Sequence, residues 1–425
     1  MAELFFPPGV RYTCLRCGEC CRSLEVTLTE AEHERLVAHD WTAEVPGYSA
    51  EGFFARIRRA RGRQVWRLRP HPGGACRFLT EEGLCRVHAA LGPGAKPFAG
   101  RLFPFTFTVT PIGVFVGCRF NCPAVARGKG PTLEEQRTDI KRLFEEYARA
   151  YNPPCEPEPV RFFGRLSVGW RDAVSIEDQL LAFLLLSDLD LPRRLLACWR
   201  LVRQFAGQAA GGRGGKRAEA DPDAILAELR RGVTSRGPSG MERVLLRLLV
   251  ASFLGATLPG CRELPAASRM GTRAANLRRR LTMALGRGRV QLPGLPEPVP
   301  IREAAAVALD EPDAASVAML ERYFAAKVTS QAFFGRAFFR RSFAEGFEFL
   351  VLSYPAILWL AGASAASGGK RHLGADDVEY GIRQADYAYN YLGEFGGRSA
   401  RMRAKLFWHW GTAEKALAAL TRQGT

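Results

Sequence analysis

Several signatures that would assign a function outright are missing from this 425-residue chain. The first residues, MAELFFPPGVRY, hold no basic segment followed by an apolar one, so they do not read as a secretory leader. The longest apolar run, Phe349 to Ala363, is interrupted by Ser353, Pro355 and Gly362. It falls short of the roughly 20 apolar residues a spanning helix needs and reads as a buried helix. No Gly-rich loop follows a strand in the way a nucleotide-binding sheet requires. The stretch GGRGG at 211–215 lies in low-complexity sequence and reads as linker. No Walker loop, Ser/His/Asp arrangement or CxxxCxxC spacing is present, and no helix-turn-helix, RNA-recognition or C2H2 pattern. No fixed-period repeat occurs. The missing leader and span lead us to expect a cytoplasmic protein, a setting in which free thiolates persist.

What the chain does have is cysteine in one place. Of 11 cysteines, eight precede residue 123: Cys14, Cys17, Cys20, Cys21, Cys76, Cys85, Cys118 and Cys122. Four of them fall within Cys14-Leu-Arg-Cys17-Gly-Glu-Cys20-Cys21. Thiols this dense serve as disulfide staples, zinc ligands or iron-sulfur ligands. The expected compartment favours metal. Adjacent Cys20 and Cys21 point in different directions in any regular backbone, and Gly18 allows a tight turn of positive φ. Cys155, Cys198 and Cys261 are scattered singles and are expected to act as small buried hydrophobes.

The pattern along the chain divides it. Residues 24–29 alternate like a strand, and Thr29 with Glu32 forms a capping-box signal for a helix. Gln64 to Leu68 reads as a strand, and His71 to Gly74 as a turn delivering Cys76. Two further strands, 105–109 and 114–116, flank a turn at Pro111 to Gly113 and carry Cys118 toward Cys122. After residue 130 the pattern becomes helical. Thr132 and Glu135 signal a helix running to about Tyr151. Others are expected with Ser175 as cap, at 192–205, 224–231, 241–254 and from 302 onward. We therefore expect an α+β chain: a loop-rich cysteine domain of short strands at 1–130, then mostly helical domains at 131–290 and 291–425. Residues 207–223 read as a linker and 287–300 as a Gly- and Pro-rich boundary.

At Cys76-Arg-Phe-Leu, Cys85, and Arg101-Leu-Phe103-Pro104-Phe105, following CxxCGxCC, the chain resembles the CxxCxxCC cysteine-cluster (YkgJ-type) family. The resemblance covers Cys14 to about Phe105, or to Cys122. It implies chelation of zinc or iron, and it carries a relation to flagellin lysine N-methylase. Cys14, Cys17, Cys20, Cys21, Cys76 and Cys85 fall on the family pattern. One position departs from it: the family's cysteine before the arginine is Gly100 here. Cys118 and Cys122 are the replacements to consider, and His88 is a weaker one.

The expected function is metal binding, with Cys14, Cys17, Cys20, Cys21, Cys76 and Cys85 as the core ligand candidates and Cys118 and Cys122 next. A [4Fe–4S] cluster is favoured over zinc, because a Cys-Cys pair is unusual in structural zinc modules. Arg16, Arg22, Arg77, Arg86 and Arg101 lie near the thiols in sequence, where positive charge would lower thiol pKa values. The helical half is expected to dock a protein partner or substrate. One alternative is a protein-lysine N-methyltransferase, implied by the resemblance alone. A second is nucleic-acid binding, drawn from the net charge of +17 and the arginine patches at 56–63, 278–289, 336–341 and 398–403. No catalytic residue is legible, so enzymatic activity, as an iron-sulfur oxidoreductase or a methylase, stays open.

Overall fold

The computed structural model describes residues 3–58, 64–71, 74–208, 221–233, 236–254, 266–308, 312–391 and 395–421. Cys261 and most of the expected 207–223 linker lie outside the described residues, as do most of the 56–63 arginines. The chain opens with strand β1 (Leu4–Phe5), helix α1 (Glu19–Ser23) and strand β2 (Thr27–Leu28). The strand read at 24–29 shrinks to two residues, because α1 and the cap of the next helix confine it. Helix α2 (Glu30–Val37) starts at the expected capping box: Thr29 N–H donates to the Glu32 carboxylate at 2.8 Å, and Glu32 N–H to the Thr29 hydroxyl at 3.3 Å. Helix α3 (Ala50–Phe53) leads into strands β3 (Phe54–Arg58) and β4 (Gln64–Leu68). Strand β4 lies between β2 and β3, antiparallel to both.

Two short helices follow, α4 (Arg86–Leu91) and α5 (Phe98–Leu102). The expected hairpin is β5 (Phe105–Thr110) with β6 (Gly113–Cys118), pairing Phe105 with Cys118. Strand β1 adds to the free edge of β6 in parallel. Helix α6 (Pro123–Ala126) precedes α7 (Arg137–Tyr151). The Thr132–Glu135 box forms, with Thr132 N–H donating to Glu135 at 2.6 Å, but it closes a turn. The helix begins only at Arg137.

Strands β7 (Val160–Phe163) and β8 (Leu166–Val168) form a small hairpin before α8 (Trp170–Leu184). Ser175 does not cap this helix. Asp172 accepts the Gly169 N–H at 3.3 Å and Trp170 is buried, so the helix starts five residues before Ser175. Then come α9 (Leu191–Gln208), α10 (Pro222–Arg231), α11 (Gly240–Phe253) and α12 (Ala266–Leu285), the last not expected from the sequence. Strands β9 (Arg289–Val290) and β10 (Val299–Pro300) pair antiparallel within the Gly- and Pro-rich stretch, whose Val290, Leu292 and Val299 are buried. Helices α13 (Ile301–Val307), α14 (Ala314–Thr329), α15 (Phe343–Ser367), α16 (Ala375–Tyr391), α17 (Arg398–Trp410) and α18 (Thr412–Thr421) complete the chain.

The expected buried run belongs to α15, which is longer than the run itself. Among the described residues α15 is long and apolar enough to cross a membrane, yet most of it is buried inside protein. Its neighbours come very close. A Cβ on Gly346 would sit 1.9 Å from the Phe333 carbonyl oxygen, and one on Gly362 2.3 Å from that of Ala304.

Two cores result. A small one gathers Leu28, Leu36, Trp41, Phe53, Phe78 and Val87, with Cys76 and Cys85 against its margin. The large one is shared by the β5–β6 hairpin and the helices, and it includes Cys118 and Cys122. The cysteines thus stand on the seam between the cores.

Candidate metal centre

The CxxCGxCC segment is shaped by its backbone. Arg16 and Gly18 take φ of 54° and 69°, a left-handed conformation that glycine adopts without a Cβ penalty. The Gly18 carbonyl accepts the N–H groups of Cys21 (3.0 Å) and Arg22 (3.1 Å), opening α1. The Arg22 guanidinium donates to the Cys17 carbonyl at 2.8 Å and ties the turn from outside.

A second loop, Cys76 to Cys85, docks on the first. Cys76 N–H donates to the Cys21 carbonyl at 2.7 Å. Within the loop, Thr80 N–H donates to Leu84 O at 2.8 Å and Gly83 N–H to Thr80 O at 3.1 Å. Gly83 lies flat against the Arg16–Cys17 backbone, where a Cβ would meet Arg16 O at 3.3 Å. Cys85 then leads into α4. The third segment follows β6: Cys118 is its last residue, and Cys122 precedes Pro123 of α6.

These segments bring their thiols together. The sulfurs of Cys20 and Cys21 are 3.9 Å apart. The thiols nearest Cys21 in the electrostatic sense are Cys20, Cys76 and Cys85. Those around the Tyr12 hydroxyl are Cys14, Cys122, Cys20 and Cys118. Cys122 in turn feels Cys20 and Cys17. Cys20 is thus the thiol common to both sets of electrostatic neighbours. Cys14 and Cys17 are exposed, Cys20, Cys21, Cys76 and Cys85 half-buried, and Cys118 and Cys122 buried. None of the described cysteines is in a disulfide.

The thiols differ in acidity. Cys20 is lowered to about 7 by its hydrogen bond with Cys21, against the cost of burial, with the Lys96 ammonium helping. The same bond, burial and the surrounding sulfurs push Cys21 up. Burial pushes Cys76 up to about 12 and Cys122 to about 11, and it raises fully buried Cys118 strongly.

The arginines expected to supply positive charge are mostly engaged elsewhere. Arg77 lies over the Phe53 ring at 4.7 Å, and Arg86 donates to the Glu44 carbonyl. Arg101 forks onto Glu146 of α7, with Nη1 to Oε2 at 2.7 Å. Arg22 binds the motif through a carbonyl. Sequence adjacency failed here because these side chains leave the loops toward other elements. The lysine that acts on Cys20 is Lys96, two residues before α5.

Other expectations also shift. His88 is exposed on α4. Cys198 is buried and donates to Leu180 O at 3.4 Å, as expected of a core thiol, whereas Cys155 is exposed because it lies in the extended segment after α7. At Gly100, a Cβ would meet nothing within 4 Å, so the backbone there has room for the cysteine it lacks.

Residues 13–123 match the family model CxxCxxCC, described as "Putative zinc- or iron-chelating domain". Residues 13–123 form a CxxCxxCC domain. No curated protein and no solved structure matches the chain.

The CxxCxxCC domain spans all eight predicted ligands, from before Cys14 to just past Cys122. Among the described residues no three Cys, His, Asp or Glu side chains stand together at ion-binding distance. The fit to a metal therefore rests on donor chemistry. Eight thiols outside any disulfide, one of them near neutral pKa, make a soft donor set suited to zinc or iron-sulfur and poorly suited to magnesium or calcium.

Proposed function

We propose that this chain is a metal-binding protein. Its CxxCxxCC domain holds a [4Fe–4S] cluster or zinc on thiolates drawn from Cys14, Cys17, Cys20, Cys21, Cys76, Cys85, Cys118 and Cys122, and its helical half docks a protein partner or substrate. The observation that carries this reading is the meeting of thiols from three separate loops at one seam between two cores. The described cysteines carry no disulfide, and metal binding is the other common use of thiols this dense.

A cluster would supply electron transfer, or an open iron for ligand binding; zinc would supply a structural tie. The chain's own residues set the rest. Cys20 is lowered toward neutral pKa, Gly18 and Gly83 hold two loops in contact, and Cys118 and Cys122 are buried on the inner side. Exposed Cys14 and Cys17 leave the outer side open to solvent.

Elemental analysis and an absorption spectrum of protein purified without oxygen test the proposal. Iron with acid-labile sulfide and a broad visible band establish a cluster; stoichiometric zinc in a colourless sample establishes the other form. Cys20→Ser should lower the metal content, while Cys198→Ala should leave it unchanged. Folded protein free of both metals after growth in metal-replete medium would overturn the reading.

A further inference from the structure

Helix α16 reaches across the seam to two thiol-bearing segments. Arg383 donates from Nη2 to Glu19 Oε2 at 2.8 Å, inside the CxxCGxCC motif, and from Nε to the Asn121 carbonyl at 3.3 Å. Three residues further along, Asp386 Oδ2 accepts the Asn121 N–H at 3.1 Å. Asn121 lies in the loop between Cys118 and Cys122, so both of its backbone groups are held by α16. At the start of the same helix, Glu379 accepts from Arg127, just past α6.

The second oxygen of Asp386 is paired with Lys327 of α14. Both side chains are buried, at 3% exposure for Lys327 and 0% for Asp386. The Lys327 ammonium also stands over the rings of Tyr323 (5.6 Å) and Tyr389 (5.3 Å), a cation enclosed by aromatic faces. Cys118 feels both charges. An ion pair removed from water is a costly way to fill space, and apolar side chains of the same volume pack as well or better. Packing alone therefore does not account for this pair. What it does beyond packing is hold the Cys118–Cys122 loop through Asn121.

We propose that Arg383 and the buried Lys327–Asp386 pair are positioning residues of the thiol centre. They hold the Cys14–Cys21 and Cys118–Cys122 segments in fixed relation, so metal retention depends on the docked helical half. The inference rests on the reading of the centre as a metal site. It assigns the helical half a part in building that site, whatever partner it also docks.

The test uses the full-length chain and two variants, Arg383→Gln and the charge-neutral double substitution Lys327→Met with Asp386→Leu, which removes the acceptor for Asn121 N–H. Zinc affinity is measured by competition with a chromophoric chelator, and thermal unfolding is followed on the metal-free proteins. Each variant should bind zinc about 10-fold or more weakly, as is usual when an outer-shell partner is removed. The metal-free unfolding midpoint should stay near that of the wild type. Affinity equal to wild type in both variants overturns the inference and leaves the metal reading standing. Wild-type protein that holds neither zinc nor iron overturns the reading and the inference with it. Should the double variant not fold, Arg383→Gln carries the test, because that side chain is 25% exposed and Glu379, the buried carboxylate it also meets, keeps its pairing with Arg127.

Discussion

Gly18 and Gly83 pack backbone to backbone: a Cβ on Gly18 would lie 3.1 Å from the Gly83 Cα. The two glycines belong to loops whose cysteines are some 60 residues apart in the chain, and their contact sets how near those cysteines come.

Gly18→Ala should therefore disturb the centre with little effect on the rest of the fold. The left-handed φ of 69° costs a non-glycine residue about 1–2 kcal/mol, and the added methyl must also push Gly83 away. Metal content per chain should fall while far-ultraviolet circular dichroism is unchanged. Wild-type metal content in this variant would show that the close approach is dispensable.

Gly346→Ala should be felt in the helical half. The new Cβ would lie 1.9 Å from Phe333 O, backbone that cannot rotate away. Separating α15 from that segment should cost about 3 kcal/mol, at the upper end for overpacking. Chemical denaturation measures the loss, and a cost under about 1 kcal/mol would mean that the crossing yields more easily than its geometry implies.

The acid limb of stability should report on Glu242. Burial pushes this carboxyl up, but Lys415 at 2.7 Å and the Ser239 N–H at 2.8 Å outweigh it and hold it at about 2. Its ordinary value is near 4.3. The unfolded chain thus takes up the proton first as pH falls. The contribution is complete above about pH 5 and is lost as pH drops toward 2. Glu242→Gln should lower the denaturation midpoint at pH 7 and flatten its fall between pH 5 and 2. Parallel curves for the two proteins would remove Glu242 from the acid limb.

The local elements were legible where one short-range rule governs them. Thr29 with Glu32 announced α2, and alternation at 64–68 and 105–116 announced the strands. The buried run of α15 showed in its composition. Boundaries slipped where a tertiary partner decided. Asp172 and buried Trp170 moved the start of α8, and confinement between two helices cut β2 to two pairs. Of the candidate centre, the thiols were legible by type and spacing. Their charged surroundings were not: Arg77, Arg86 and Arg101 looked adjacent and point elsewhere. Lys327 and Asp386 carry one weak signal, a lone charge among small and aromatic neighbours in AAKVT and ADYAY.

By itself the sequence determined the thiol inventory, the α+β class and the family of residues 13–123, because these depend on residue type and near-neighbour spacing. Only the tertiary structure decided that the thiols fall on a seam between two cores, that Gly18 meets Gly83, and that α16 reaches back over 364 residues from Arg383 to Glu19. Such contacts join segments whose separation in the chain carries no periodic signal. They arise when each segment buries its own apolar face and the remaining polar groups must find partners wherever packing has left them.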